Sequence, residues 1–588
     1  MINFQRIKGT FLHYTDGILE NKIISVYVPF AIIIVAVANY YGQIYKYNVN
    51  VPCSDDYGVA LQFLNSFVTE DSFWNKIALL FRQHVDHRVM FPRLAVLVDF
   101  YLRGKVDFYS LVIFGNLGLL WIGLILFYSF PNRVGKILLF CPVGLLLFQL
   151  QHWENSGFPT ASIQSFYVIF FSFTSLYFLS RDSKRDLALA CFASFLAVFT
   201  SGNGMFCILP GAFILINQKK YKALGVWMLT FLCLLSFYFY QYSHQNTKLL
   251  NLLSEKPLQI MTNFLVAIGG FINYSKAWEP IGPGYPLSIA FGVLVTVFFL
   301  YLTFSKYYLR SPVLYGFLLF LLITCAAMAV SRVTQYSPNE LSTVSRYKIV
   351  SVCCISVSYL TLMDIWPGMG LLKAIVFIPL GVYYNTTANE KNIMIFKAHT
   401  ERLIQSSWAV YSHNDYTKIL DGNPALSALT LKESKSKDVY VLPDLTDKYL
   451  RLAIPARQLI NVPWENFSLM DTTVKYNFLI QSTSNNDTYA VRGGWALKKG
   501  KTTKRNFLIL TSSFATYYFS TAIDYRDDLT EMMKMLDPED QTIYTDSGFN
   551  FSIKTSQLLK GEYEAGIVLE TWDRFYYYLP SPNKVIVE

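Results

Sequence analysis

Apolar residues in this chain come in runs of 13 to 22, separated mostly by short polar segments, as far as about residue 385. Runs of that length suit helices that cross the hydrocarbon core of a bilayer. Eleven predict membrane spans: 23–42, 109–130, 135–152, 161–180, 187–201, 204–216, 223–242, 284–304, 313–331, 347–364 and 370–384. The pair 187–216 is short and turns at Ser201-Gly202-Asn203-Gly204, strong turn chemistry. The run 256–272 is also apolar, but both its flanks fall on one side under this count. It is read as a re-entrant or interfacial helix whose backbone is covered by protein.

Past residue 385 the pattern changes. Residues 386–415 read as an amphipathic helix, within a helical linker over 386–437. From 438 onward, short apolar runs lie between turn residues: Asp438–Leu442, Phe478–Ile480, Phe507–Leu510, Tyr563–Leu569 and Lys584–Val587. Such spacing predicts strands of a β-sandwich-like domain. The chain therefore divides into an N-terminal tail (1–22), a polytopic membrane part (23–385), the linker and a soluble β-rich domain (438–588). The fold class is a mainly α transmembrane bundle followed by a β-rich domain.

Composition agrees with two environments. Hydrophobic residues make up 53% and charged ones 15%, against about a quarter charged in soluble domains. The net charge of +10 comes with basic clusters in alternate short loops: Arg133 and Lys136; Arg181, Lys184 and Arg185; Lys219, Lys220 and Lys222; Lys306 and Arg310. The positive-inside rule assigns these loops to the cytoplasm, giving a cytoplasmic N-terminus and a C-terminal domain on the far side. The excess charge is thus a topology signal and not a nucleic-acid surface. Seven of eight cysteines lie in or beside apolar runs and only Cys53 is in a polar loop, so no disulfide framework is readable. The first run, from Ile23, has no small-residue cleavage site and reads as an uncleaved span.

Candidate chemistry gathers in the loop 43–108. It opens with Pro52-Cys53-Ser54-Asp55-Asp56-Tyr57-Gly58 and passes through an amphipathic stretch, Phe73–Phe81. A dense polar set follows: His84, Asp86, His87, Arg88 and, after Phe91-Pro92, Arg93. Taken singly, the acids are solvated loop residues or a helix cap, and the histidines a partly buried polar contact. Two clusters in one loop at lipid level require it to pack on the bundle. Other outer span ends add Gln149, Gln151, His152, Trp153, Glu154 and Asn155, then Gln164, Asn203, Arg332, Arg346 and Tyr347. Polar groups at membrane depth usually face a cavity, although basic and aromatic residues also anchor interfaces. A carboxylate base, arginines that match phosphate oxygens and aromatic faces fit glycosyl transfer from a lipid-linked phospho-sugar.

The order of an Asp-Asp loop, then QHVDHRVMFPRL (Gln83–Leu94), HWENSGF (His152–Phe158) and SGNGMFCILPG (Ser201–Gly211) resembles the bacterial branch of the type C glycosyltransferases over residues 20–385. The resemblance implies an inner-membrane enzyme that takes sugar from a polyprenyl-phosphate donor on the periplasmic side. The acceptor would be a cell-surface glycan, such as O-antigen or another lipopolysaccharide part. It implies Asp55 or Asp56 as base, with Asp86 in reserve. It also implies Arg88 and Arg93 as phosphate ligands, and His84 and His87 shaping the site. No cofactor is implied; a divalent cation, which would draw on Asp55, Asp56 and Asp86, is not favoured. Gly494-Trp495-Ala496, Ser547-Gly548-Phe549 and Gly561-Glu562-Tyr563 resemble a periplasmic β-domain found after some of these enzymes. It either positions acceptor glycan or caps the structure. Two other classes fit the same pattern: a transporter or flippase for lipid-linked saccharides, and a glycan polymerase or ligase.

Overall fold

The structure is a computed structural model. It describes residues 21–587 apart from 133, 244–253, 275–281, 367–369, 414–415, 444, 446–466, 470–472, 483–487, 512–515 and 574–575. Most of the N-terminal tail and Arg133 therefore lie outside the described residues. Two compact units emerge: residues up to 397 with 426–441, and 398–425 with 442 onward.

The first unit is helical. Its elements are α1 (Ile23–Tyr47), α2 (Phe63–Thr69), α3 (Phe73–Phe81), the two-residue strands β1 (Gln83–His84) and β2 (His87–Arg88), α4 (Met90–Arg103), α5 (Phe108–Ser129), α6 (Lys136–Leu147), α7 (Trp153–Gly157), α8 (Pro159–Leu179), α9 (Lys184–Val198) and α10 (Ile208–Asn217). They continue with α11 (Tyr221–Phe239), α12 (Pro257–Gly269), α13 (Gly284–Phe304), α14 (Pro312–Ser331), α15 (Ser345–Ile365), α16 (Gly370–His413), which runs on into the second unit, and α17 (Pro424–Ser436). Local chemistry sets the starts. Asp107 and Ser183 accept the Tyr109 and Asp186 N–H groups at 2.9 Å, as N-caps do. Pro159, Pro257 and Pro312 sit in first turns, where a missing N–H costs nothing.

Among the described residues, nine helical segments are long and apolar enough to cross a bilayer. The chain is a multi-pass membrane protein. The runs 23–42, 109–130, 161–180, 223–242, 284–304, 313–331 and 347–364 each correspond to one of these helices. Three expectations change. The run 135–152 breaks after Leu147: Gln149 is extended, a 3₁₀ turn covers Leu150–His152, and α7 resumes. Asn385 Nδ2 donates to the carbonyls of Leu145 and Phe148 at 2.8 Å, and Asn389 Oδ1 accepts the Leu150 N–H at 3.1 Å. These side chains satisfy backbone groups the break releases, as an interruption at membrane depth requires. Both asparagines lie inside α16, in which the expected last span, 370–384, and the expected linker helix run on as one helix. The runs 187–201 and 204–216 form a 15-residue helix, α9, and a short apolar helix, Gly202–Asn217. The run 256–272 is likewise a short helix, Pro257–Ile272.

The stretch Asp438–Leu442 is not a strand. Val439 and Tyr440 are buried after α17, with Val106 N–H donating to Val439 C=O at 3.0 Å and the Tyr440 ring edge-on to Phe108 at 5.2 Å. Their apolar side chains serve the helical unit, and residues 426–441 belong to it.

The second unit carries two five-stranded sheets. Its strands are β3 (Phe467–Leu469), β4 (Val474–Asn477), β5 (Ile480–Ser482), β6 (Thr488–Lys498), β7 (Thr503–Thr511), β8 (Thr516–Ser520), β9 (Ala522–Asp524), β10 (Gly548–Lys554), β11 (Gly561–Thr571) and β12 (Tyr576–Val587). One sheet runs β4-β6-β10-β9 with β5 beside β6; the other runs β3-β12-β11-β7-β8. Alternation decides the inward face. Phe549, Phe551 and Ile553 of β10 join Leu508, Leu510, Ile567 and Leu569 of the other sheet in one buried cluster.

Candidate functional site

The two adjacent aspartates separate on folding. Asp56 is fully buried. Its Oδ1 accepts the backbone N–H of Thr160 at 3.0 Å and the Thr160 hydroxyl at 2.7 Å, and Oδ2 accepts the Cys53 N–H at 3.1 Å. Thr160 is in the first turn of α8, whose own flanking residue Phe158 offers no side-chain cap. Asp56 thus supplies from a distant loop the acceptor that this helix start lacks. Burial still pushes its pKa up to about 6. Its role is to fasten the loop.

Asp55 is left half-exposed and faces a cavity. His84 Nε2 stands 3.7 Å from its Oδ1. That imidazole, with the Arg346 guanidinium, holds the Asp55 carboxyl below the usual carboxylate range against the effect of partial burial. His84 and His87 are opposed across the β1–β2 hairpin. Each ring rests on a glycine: a Cβ on Gly58 would stand 2.6 Å from His84 Cε1, and one on Gly202 2.9 Å from His87 Nδ1. The Gly202 N–H also donates to His87 Nδ1 at 3.3 Å. Burial lowers the pKa of His87, favouring the neutral ring.

The cavity has a volume of about 590 Å³. Asp55, His84, Asp86, His87, Asn203, Arg332, Arg346 and Tyr347 line it, from positions 55 to 347 of the chain. Gln164 lines it too, with Tyr238 and Tyr242, which the sequence did not single out. Both phenols donate to the Asp86 carbonyl, at 3.5 and 2.9 Å. Nothing in an aromatic-rich apolar run marks these two tyrosines. No family model, curated protein or solved structure matches this chain.

Five expected site residues lie elsewhere. Arg88 directs its guanidinium onto the carbonyls of Tyr238, Phe81 and Tyr240, the first two at 2.6 Å. Arg93 binds those of Leu79, Leu80 and Arg82. Both are buried and do not line the cavity. A guanidinium has five N–H donors and will bind backbone where helix ends leave carbonyls open. His152 is buried between Ser156 Oγ at 3.2 Å and Leu147 C=O at 3.1 Å. Asp56 fastens the acid loop. Glu154 sits behind the cavity wall and positions Arg346. Its Oε2 accepts the Ser345 hydroxyl and the Arg346 N–H, and its Oε1 lies 3.4 Å from Arg346 Nη2. The carboxylate both caps α15 and orients a guanidinium that faces the cavity.

Lys348 is a third residue missed by sequence reading. It is buried, with Nζ donating to Gly270 C=O at 2.6 Å, Asn273 C=O at 2.7 Å and Ser342 C=O. All three ammonium protons are taken, which pins the turn after α12 to α15. A lone lysine two residues after Arg346 in an apolar run was its only signal. Among the described residues, no three His, Cys, Asp or Glu side chains are grouped as ligands for a metal ion.

Proposed function

We propose that this protein is a type C glycosyltransferase that moves a sugar from a polyprenyl-phosphate donor to a cell-surface glycan, such as O-antigen or another part of lipopolysaccharide. One observation carries the reading. An ionised carboxylate, Asp55, and two guanidiniums, Arg332 and Arg346, line one cavity beside the ends of apolar helices. Arginines are suited to grip a phosphate as charge develops on it. In the reaction, Asp55 accepts the proton of an acceptor hydroxyl. The hydroxyl oxygen forms a bond to the anomeric carbon as the bond from that carbon to the phosphate oxygen breaks. Polyprenyl phosphate leaves with the bonding electrons, held by Arg332 and Arg346. One such displacement inverts the anomeric centre. His84 and His87 shape the site, and Tyr347 and Asn203 supply sugar contacts.

Orientation follows from the basic loops. They stand in the cytoplasm, the loop 43–108 and the C-terminal β-unit in the periplasm, and the membrane is the bacterial inner membrane. The two sheets form a sandwich that positions acceptor glycan.

Asp55→Asn tests the base. The variant is expected to insert normally and to lose the sugar from the surface glycan, read as a fixed mass difference per repeat between complemented strains. Wild-type modification by Asp55→Asn overturns the assignment. A transporter or flippase is the second reading, favoured by the interrupted α6–α7 segment, since broken helices frame many transport sites. Vesicles carrying Asp55→Asn separate the two: an enzyme loses transfer chemistry, whereas a transporter still moves lipid-linked saccharide.

A further inference from the structure

The helical unit holds a second cavity, of about 780 Å³, which shares no lining residue with the first. A polar partition stands beside it. Gln151 Nε2 donates to Phe271 C=O at 2.8 Å and Asn273 C=O at 3.0 Å, Tyr384 OH donates to Gln151 Oε1 at 2.9 Å, and Lys348 holds the same turn. The second cavity is an apolar groove. It runs along α13 from Gly284 to Phe298 and along α16 from Phe377 to Lys391. Fourteen steps at 1.5 Å make it roughly 21 Å long. That exceeds one leaflet of hydrocarbon, about 15 Å, and falls short of the full core, about 30 Å.

We propose that this groove holds one acyl chain of an anionic phospholipid of the surrounding bilayer, with its headgroup phosphate against Lys391. Three observations specify the occupant. The groove opens through Leu287, Leu294 and Leu380, which are 45%, 61% and 56% exposed on helices long enough to span a membrane. Its mouth is therefore continuous with the lipid-facing surface. Among the described residues, Lys391 at one end is the single charged residue of the lining and takes part in no ion pair. Glu390, beside it in sequence, does not line the groove. Tyr383 and Tyr384 lie about two turns before Lys391 on α16, with the Tyr274 ring 5.9 Å from that of Tyr384. The proposal is independent of the glycosyltransferase reading.

The test is lipid retention by the purified full-length protein in native mass spectrometry, after exposure to phosphatidylglycerol, phosphatidylcholine or a polyprenyl phosphate. The wild type retains phosphatidylglycerol in preference to phosphatidylcholine. Lys391→Gln reduces that preference about fivefold, the effect of one basic residue near a lipid phosphate. Leu294→Trp narrows the exposed mouth and lowers retention of both phospholipids. Equal retention of the two by wild type overturns the proposal. So does unchanged retention in either variant, or polyprenyl phosphate displacing phosphatidylglycerol in a Lys391-dependent way. Asp55→Asn, which tests the transferase, leaves all these results as in wild type.

Discussion

Asp55 and Asp56 carry one side chain into two environments, and their titration differs accordingly. Asp56 is buried, and its pKa, ordinarily near 4, stands at about 6. A raised carboxyl pKa contributes stability that is complete below the ordinary value and is lost as pH rises through the folded one. Two pKa units correspond to about 3 kcal/mol as an upper scale. Melting temperatures of wild type and Asp56→Asn are therefore expected to converge or cross between pH 4 and 7. The wild type loses ground as pH rises, while the amide, which still accepts from Thr160, does not titrate. A pH-independent difference would show that Asp56 does not titrate in this window. Asp55 behaves oppositely. Beside His84 and Arg346 it stays ionised well into the acid range, which suits a base and adds stability that is lost only as pH falls through its lowered pKa.

Among elements, the β1–β2 hairpin is the one that aims the site. Val85 opens its turn at φ +48°, a region that β-branched residues avoid at a cost of about 1–2 kcal/mol. The strain persists because His84 and His87 are each seated over a glycine. Helix packing uses glycine differently. A Cβ on Gly269 of α12 would stand 1.9 Å from Ser288 C=O of α13, and one on Gly292 2.2 Å from Leu265 C=O. The backbones touch, as small residues permit between membrane helices. Gly292→Leu is expected to destabilise the protein by about 1–3 kcal/mol or more, read as a lower melting temperature by fluorescence-detected size exclusion after heating. Gly225→Ala, where a Cβ meets nothing within 4 Å, is the matched control and is expected to melt as wild type.

At the level of the whole molecule, topology rests on parity. Nine spans among the described residues and the eleven read from apolar runs are both odd counts, so the short segments 187–216 do not change the proposed orientation, with the two ends of the chain on opposite faces. Single cysteines at Lys76, in α3, and at Lys222, at the start of α11, are expected to react with impermeant maleimide from opposite sides of sealed vesicles, in a background with Cys233 and the other native cysteines replaced. Labelling of both from one side overturns the orientation.

Run length in apolar residues determined the membrane class and most helix positions, because a bilayer makes every spanning segment satisfy its own backbone. The same patterning marked β7, β11 and β12 through short apolar runs between turns. It failed at 438–442, where Val439 and Tyr440 look like strand residues but find their burial against Phe108. It failed also at 147–150, where the break in the helix depends on Asn385 and Asn389 reaching the freed carbonyls and N–H. For the site, polar residues in an apolar chain were legible as a set. Which of them face a cavity was not, because neighbours in sequence diverge: Asp55 outward and Asp56 onto α8, His87 to the cavity and Arg88 onto carbonyls. Tertiary structure made those choices, since each buried donor or acceptor turns toward whichever partner the fold brings within reach.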